Sequence, residues 1–246
     1  HNRSRSEGLV VHLAADTEAL SSWQRPGQIL GNNLLSTIQV LEFCRESSCK
    51  LIFASTSLAG LTPTKKKHND IVGLSSLSPY HASKNIGENL CYYYHTTYGL
   101  NIAILRIFSV YGLGQRGSSL IPTVVRQTFS DCPEIVVRST RPRRDFIHVD
   151  DVVDAIVTLS KGTKGYEELE IGTGIATSVR EVIEIVQRHA GTNKPVIETE
   201  TNNSGDEQIV VSRRSNVRSS QWNPKIGLYE GIGSLVSSEF GEVNEV

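Results

Sequence analysis

The sequence predicts an α/β fold in which a mostly parallel sheet carries helices on both faces. Three apolar runs, at 8–15, 50–54 and 101–108, have the length and composition of strands that are buried on both faces. Segments with helical spacing, at 32–47 and 79–98, separate these runs. This alternation is typical of parallel sheets, because a parallel connection usually crosses the sheet through a helix.

Local signals support the two helices. In the segment 32–47, apolar side chains recur at helical spacing and share one side of a helix. They are Leu34, Leu35, Ile38 and Leu41. Pro79 suits the first turn of the second helix, and Gly99 suits the position just after its last turn.

The second half of the chain alternates less regularly. Further helices are predicted at 120–129, 150–160, 178–190 and after Leu228, and short strands at 135–137 and 169–171. Asp150 and Asp151 are expected to cap the helix that begins there. We expect a main domain over residues 1–112 and a smaller lobe over residues 113–246, from which some segments return to the main sheet.

The composition argues against several classes of function. The 246 residues carry 25 Lys and Arg against 26 Asp and Glu, so no general attraction to nucleic acid or to an anionic membrane is expected. No apolar run is long enough to cross a bilayer. The four cysteines lack the spacing of metal ligands, and we interpret them as reduced thiols of a cytoplasmic protein without a metal site.

Two local patterns indicate chemistry. Tyr80 and Lys84 are one helical turn apart, so the ammonium can approach the phenol and lower a pKa that is ordinarily about 10. Ser55 and Thr56 directly follow a buried strand, where the carboxyl ends of parallel strands face the ligand crevice. Taken singly, the first pattern also fits a surface pair without a role, and the second fits a polar turn.

Six segments together resemble the extended short-chain dehydrogenase/reductase family, in its nucleotide-sugar epimerase and dehydratase branch. They are His12 to Ala15, Asn32 to Thr37, Leu105 to Gly112, Arg144 to Asp151, Ile171 to Gly174 and Trp222 to Pro224. The fourth closely matches the family pattern Arg-Asp-aromatic-Ile-His-Val-x-Asp. In the second, Ser36 stands where glycine is usual in Asn-x-x-Gly-Thr.

The resemblance implies a doubly wound, Rossmann-like sheet that binds NAD and a small C-terminal lobe that binds the substrate. It implies that residues 1–112 are the remainder of the dinucleotide-binding domain, because the likeness begins at the family's fourth strand. The first βαβ unit and its glycine-rich phosphate loop are then expected to be missing, and the polypeptide as given is expected to bind NAD weakly or not at all.

The same resemblance implies roles for single residues. Tyr80 is the expected catalytic base, Lys84 tunes it and contacts the cofactor ribose, and Thr56 bonds the sugar hydroxyl, with Ser55 as its rival. The remaining expected cofactor contacts are Leu13, Ala14, Ala15, Asn32 and Phe108, together with Ser55 and Tyr80. Expected substrate contacts, besides Thr56, are Ser109, Arg144 and Asp206, and the forked guanidinium of Arg144 suits a diphosphate.

The expected activity is epimerisation, with C4 favoured, of a nucleoside-diphosphate sugar, above all a UDP-sugar. Dehydratases and decarboxylases of this branch place an acidic residue after the catalytic hydroxyl, and Ser57, Leu58 and Ala59 offer none. Other readings stay open: a 4,6-dehydratase or decarboxylase, an inactive paralogue that only binds, and an NADP-linked reductase. Members of the family commonly pair through two helices, here 32–47 and 79–98, so a homodimer is expected.

Overall fold

The computed structural model describes residues 8–17, 21–59, 78–115, 117–161, 164–200, 209–212 and 222–241. These residues form two compact units. The first takes the described residues up to Ile107 and the segment from Ile156 to Glu170. The second takes the segment from Phe108 to Ala155 and, from Ile171 onward, the remaining described residues.

The strands are β1 (Leu9–His12), β2 (Lys50–Thr56), β3 (Ile102–Ile107), β4 (Ser109–Tyr111), β5 (Ile135–Val137), β6 (Arg143–Arg144), β7 (Phe146–His148), β8 (Tyr166–Ile171), β9 (Thr177–Ser178), β10 (Val196–Glu198) and β11 (Ile209–Val210). The helices are α1 (Pro26–Ser47), α2 (Pro79–Tyr98), α3 (Leu120–Phe129), α4 (Val149–Ser160), α5 (Val179–Ala190) and α6 (Leu228–Phe240), preceded by a short 3-10 helix at Ser21–Gln24.

The first unit is built on a four-stranded sheet in the order β1-β2-β3-β8. Both β1 and β3 run parallel to β2, and the register places Ser55 opposite Arg106 and Thr56 opposite Ile107. Each residue from Ile102 to Leu105 is fully buried, as expected for a strand covered on both faces. The predicted α/β, Rossmann-like fold with a mostly parallel sheet is confirmed.

Helices α1 and α2 pack against each other and against this sheet. Their shared core contains Leu41, Cys44 and Cys91 together with Phe53 of β2. At Gly87 the helix α2 comes so close to β2 that a Cβ atom there would lie 2.7 Å from Cζ of Phe53. Glycine therefore permits a helix-to-strand approach that no side-chain-bearing residue would allow without displacement.

The second unit has its core among α3, α5 and α6 and the strand β5. Its sheets are small: β5 pairs with β10, β4 pairs with β7, and β6 lies between β9 and β11. Helix α5 begins with a capping box, in which Ser178 accepts from the Glu181 amide and the Glu181 carboxylate accepts from the Ser178 amide.

Several predicted boundaries need correction. Strand β1 ends at His12, three residues before the predicted end, and α1 begins at Pro26, six residues before the predicted start. Asp151 lies in the first turn of α4 but does not cap it. Its buried carboxylate accepts instead from the amides of Lys225 and Ile226, at 2.9 and 3.0 Å, and so holds the segment before α6.

Candidate functional site

Helix α2 presents the Tyr80–Lys84 pair in its first turns. Ser78 caps the helix, and its side chain accepts from the amide of His81. Pro79 occupies the first helical turn as predicted, and Gly99 ends the helix in the left-handed region at φ 72°. The pair therefore belongs to a helix whose start and end are both fixed by local sequence.

Lys84 is almost completely buried beside strand β2. Its Nζ donates to the carbonyl oxygen of Ala54 at 2.7 Å and lies 5.0 Å from the centroid of the Phe53 ring. Because burial penalises the charged form, the pKa of Lys84 falls to about 8. Burial and, to a lesser extent, the same ammonium lower the pKa of His12, which ends β1.

The pKa of the Tyr80 phenol shifts in the opposite direction from the one expected. Burial raises its pKa to about 12, whereas the spacing of the pair predicted that Lys84 would lower it. That prediction is wrong for the groups of the protein alone, because the lysine directs its ammonium to the Ala54 carbonyl and desolvation dominates at the phenol. A phenolate at Tyr80 thus requires a further positive charge close by.

Ser55 and Thr56 occupy the carboxyl end of β2, and the structure separates their roles. The hydroxyl of Ser55 donates to Oε1 of Glu88 on α2 at 2.5 Å, and both residues are buried. Thr56 ends the strand, with 9% of its surface exposed. Ser55 thus commits its single proton to a structural partner, whereas the sequence had left both hydroxyls as candidates.

Beyond the end of β1 lie the three residues expected to face the cofactor. Leu13 is 57% exposed, Ala14 is exposed and Ala15 is half-buried. They follow β1 directly, and β1 is parallel to β2, so this segment leaves the same edge of the sheet as Thr56.

On α1 the structure buries Asn33 and leaves Asn32 exposed. The Asn33 amide accepts from the Asp16 amide at 2.8 Å and donates to the Asp16 carbonyl and to Oγ of Ser83, at 3.1 and 2.9 Å. It thereby joins the segment after β1 to helix α2. The sequence did contain the signal: if Ser36 takes the glycine position of Asn-x-x-Gly-Thr, the asparagine falls at residue 33.

In the second unit, Ser109 and Arg144 line the same cavity, of about 300 Å³. Polar side chains of Gln115, Ser118 and Ser119 complete much of its wall. Arg144 is exposed on β6, while Phe108 is buried and its amide donates to the Ile171 carbonyl at 3.0 Å. The sequence had not singled out the wall residues, because serine and glutamine in a turn carry no pattern of their own.

Asp145, the neighbour of Arg144, is fully buried and accepts five hydrogen bonds. The donors are the amide and hydroxyl of Thr173, the amide of Gly174, and the amide and hydroxyl of Ser212, at 2.6 to 3.1 Å. Its backbone also accepts from the Ser109 amide and donates to the Val210 carbonyl. Through its carboxylate and its backbone together, Asp145 fixes the segments around Ser109 and Arg144.

One expected substrate contact, a metal site and a membrane-spanning helix are not seen among the described residues. Asp206, the last expected substrate contact, lies outside the described residues. Within the described ranges, no group of three or more His, Cys, Asp or Glu side chains is arranged to hold a metal ion. None of the described helices combines the length and apolarity needed to span a membrane.

Comparison with known proteins finds similarity to UDP-sugar 4-epimerases. The chain is 30% identical to UDP-glucuronate 4-epimerase of Thermodesulfobacterium geofontis over 94% of its own length and 72% of the relative's. A UDP-glucose 4-epimerase of Thermus thermophilus, solved with NAD, has a TM-score of 0.77 at 27% identity, over 94% of this chain and 77% of that one. A UDP-glucuronic acid 4-epimerase of Bacillus cereus, solved with its substrate and NAD, has a TM-score of 0.81 at 25% identity, over 96% and 76%.

The family model for this group of enzymes matches residues 6–172, which is more than half of the chain and includes β1, α1, β2, α2 and the strand pair β4–β7. The matched range contains Thr56, Tyr80, Lys84 and Arg144. The chain therefore belongs to the NAD-dependent epimerase/dehydratase family.

Proposed function

We propose that this protein inverts C4 of a UDP-sugar with the help of bound NAD. The observation that carries the proposal is the placement of Tyr80 and Lys84 on the first turns of α2, which is tied to the end of β2 beside Thr56. The names of the relatives, which act on UDP-glucose or UDP-glucuronate, support the substrate class.

The residues of the chain fit NAD by their chemistry. Small side chains at Ala14 and Ala15 follow β1 and leave room for a flat ring system close to the backbone. Lys84 is held at the same end of β2 and carries donors for ribose hydroxyls. We also assign Asn33, in place of Asn32, as the α1 asparagine that organises this segment, because it fixes the backbone of Asp16.

In the proposed reaction, bound NAD would supply the hydride acceptor for C4 of the sugar and the hydride donor for its opposite face. Thr56 holds the C4 hydroxyl, and Tyr80 takes its proton and gives it back, so the protein ends the cycle unchanged. Because burial raises the pKa of Tyr80 to about 12, the phenol loses its proton only when positive charge lies close to it. Because Lys84 directs its ammonium to the Ala54 carbonyl, the positive charge of bound oxidised nicotinamide would have to favour the phenolate.

A dehydratase or a decarboxylase is less well supported, because it needs an additional acid at the sugar. The turn formed by Ser57, Leu58 and Ala59 contains no carboxylate. The nearby carboxylate of Glu88 is already bound by Ser55 and Arg106 and is buried. The inactive-paralogue reading is tested by the same assay.

Because the family resemblance implies weak NAD binding, the assay first measures the NAD affinity of the purified protein. The protein is then incubated with saturating NAD and, separately, with UDP-glucose and UDP-glucuronate, and the products are resolved by chromatography. We expect interconversion with the corresponding 4-epimer and no net formation of NADH. Loss of water or carbon dioxide from the sugar would identify a dehydratase or a decarboxylase. A folded, NAD-loaded protein that converts none of several UDP-sugars would support the paralogue.

Arg144 is proposed to bind the diphosphate of the substrate in the cavity that it shares with Ser109. Replacing it by alanine removes charge-assisted hydrogen bonds and should weaken binding of UDP by roughly 10- to 100-fold, measured by calorimetry. The control is Arg138→Ala, because Arg138 lies in the same unit, is exposed and pairs with Glu200. Equal UDP affinity in Arg144→Ala and the wild type would remove Arg144 from the proposed site.

We further propose that the first unit binds the dinucleotide and the second binds the substrate, and that two copies pair through α1 and α2. Three large apolar side chains on α1 remain exposed, Leu35, Ile38 and Phe43, which supports such a surface. Sedimentation velocity is expected to show a dimer for the wild type and a monomer for Leu35→Glu. A monomeric wild type would refute the pairing.

A further inference from the structure

A network of four side chains, of which Ser55 and Glu88 are buried, connects the two elements that carry the candidate catalytic groups. We call Ser55, Glu88, Arg106 and Glu168 the Glu88 network. Glu88 accepts from Ser55 at 2.5 Å and from Arg106 through Nε and Nη2, at 3.0, 3.2 and 2.6 Å. Arg106 also lies 2.9 Å from the carboxylate of Glu168.

The network is anchored in the register of the sheet. Ser55 on β2 and Arg106 on β3 are direct partners in the parallel pairing, so their side chains lie next to each other on the same face. Glu88 reaches both from α2. Its carboxylate therefore joins two strands and one helix at a single point, where Ser55, Glu88 and Arg106 are all largely shielded from solvent.

This point is close in sequence to each candidate catalytic group. Glu88 follows Lys84 by four residues and Tyr80 by eight, so all three share one side of α2. Ser55 directly precedes Thr56 on β2. Lys84 already ties α2 to Ala54, and the Ser55–Glu88 bond adds a second tie one residue further along the strand.

We propose that Glu88 is a positioning residue: held by Arg106, it fixes Ser55 and thereby sets Thr56 against Tyr80 and Lys84. The inference rests on the proposed epimerase function for its kinetic consequence. It also assigns the two hydroxyls, because Ser55 gives its only proton to Glu88 and leaves Thr56 to bond the sugar hydroxyl. Ser55 is then a second positioning residue, not the catalytic hydroxyl.

The first test is a double-mutant cycle in the NAD-loaded protein. Ser55→Ala and Glu88→Gln are each expected to lower kcat about tenfold with KM changed less than about twofold. Because both act through one contact, the double variant should be no slower than the slower single variant by more than about twofold. Thr56→Ala should cost much more, and Thr56→Ser should restore most of the rate.

The second test does not depend on turnover. Two backbone hydrogen bonds hold the segment after Thr56. The amide of Ser57 donates to the Ile107 carbonyl, and the amide of Ala59 donates to the Thr56 carbonyl. In Ser55→Ala and in Glu88→Gln, amide hydrogen exchange of residues 54–59 should be at least about tenfold faster than in the wild type. Asn101→Ala is the control: it removes the bond from the Gly165 amide at the other end of β3 and should leave both readouts unchanged.

The outcomes separate the two proposals. If the wild type converts no UDP-sugar, the proposed function fails and the exchange experiment alone decides the positioning role. Unchanged exchange in both single variants overturns that role. It is also overturned if Ser55→Ala is as slow as Thr56→Ala and the losses of Ser55→Ala and Glu88→Gln multiply in the double variant, because Ser55 then acts on the sugar directly.

Discussion

Replacement of Tyr80 by phenylalanine is expected to lower kcat by about 100- to 10,000-fold, the range that general acid–base groups contribute. The phenylalanine keeps the ring and loses only the hydroxyl that takes the C4 proton. Phenylalanine offers no oxygen that could take this proton in place of the phenol. The measurement is the rate of UDP-glucose or UDP-glucuronate conversion at saturating substrate.

The control for this prediction is Tyr94→Phe on the same helix. Tyr94 donates to Glu42 at 2.6 Å and has no proposed part in the chemistry, so its loss should change the rate little. NAD content and the thermal midpoint of Tyr80→Phe should remain close to those of the wild type. Turnover within a few-fold of the wild-type rate in Tyr80→Phe would exclude Tyr80 as the base.

Replacement of Asp145 by asparagine is expected to have the largest effect on stability. Asp145 is fully buried, and its two oxygens accept five hydrogen bonds. In asparagine an NH2 group replaces one carboxylate oxygen, so it faces amides and hydroxyls that are themselves donors. Each buried donor left without an acceptor costs about 1–3 kcal/mol. Because more than one of the five donors loses its acceptor, we expect a loss of about 3–5 kcal/mol in the free energy of unfolding, measured by urea denaturation.

Asp150→Asn is the matched control, because it is the same substitution five residues away on a side chain that is 74% exposed. It should change the free energy of unfolding by at most about 1 kcal/mol. Similar values for the two variants would show that the Asp145 bonds contribute little to the fold.

Elements that are marked by local residues could be predicted from the sequence with correct limits. Helices α2 and α3 and strand β5 have the predicted bounds, since Pro79, Gly99 and the apolar spacing mark them directly. The start of α1 was placed too late, because Gly27 and Gly31 interrupt its first turns and glycine is a weak helix former. Strands of only two residues, such as β6 and β9, are too short for an alternating pattern.

The chemistry of the candidate groups was predictable in type but not in detail. The Tyr-x-x-x-Lys spacing placed Tyr80 and Lys84 on one helix face, yet their pKa shifts depend on burial, which the spacing does not contain. Likewise, the choice between Ser55 and Thr56 depends on Glu88, 33 residues beyond Ser55 along the chain. Contacts of this range are set by packing, and a local motif cannot report them.

The close approach of α2 to β2 at Gly87 has a consequence for the length of the lysine. Because a glycine lets the helix axis settle near the strand, a four-carbon side chain is long enough for its amine to touch the Ala54 oxygen. A methyl group at residue 87 would push against the Phe53 ring and move the two elements apart at the point where that amine must bridge them. The absence of a Cβ atom at Gly87 thus allows the Lys84 ammonium to reach the Ala54 carbonyl, a contact on which the proposed chemistry depends.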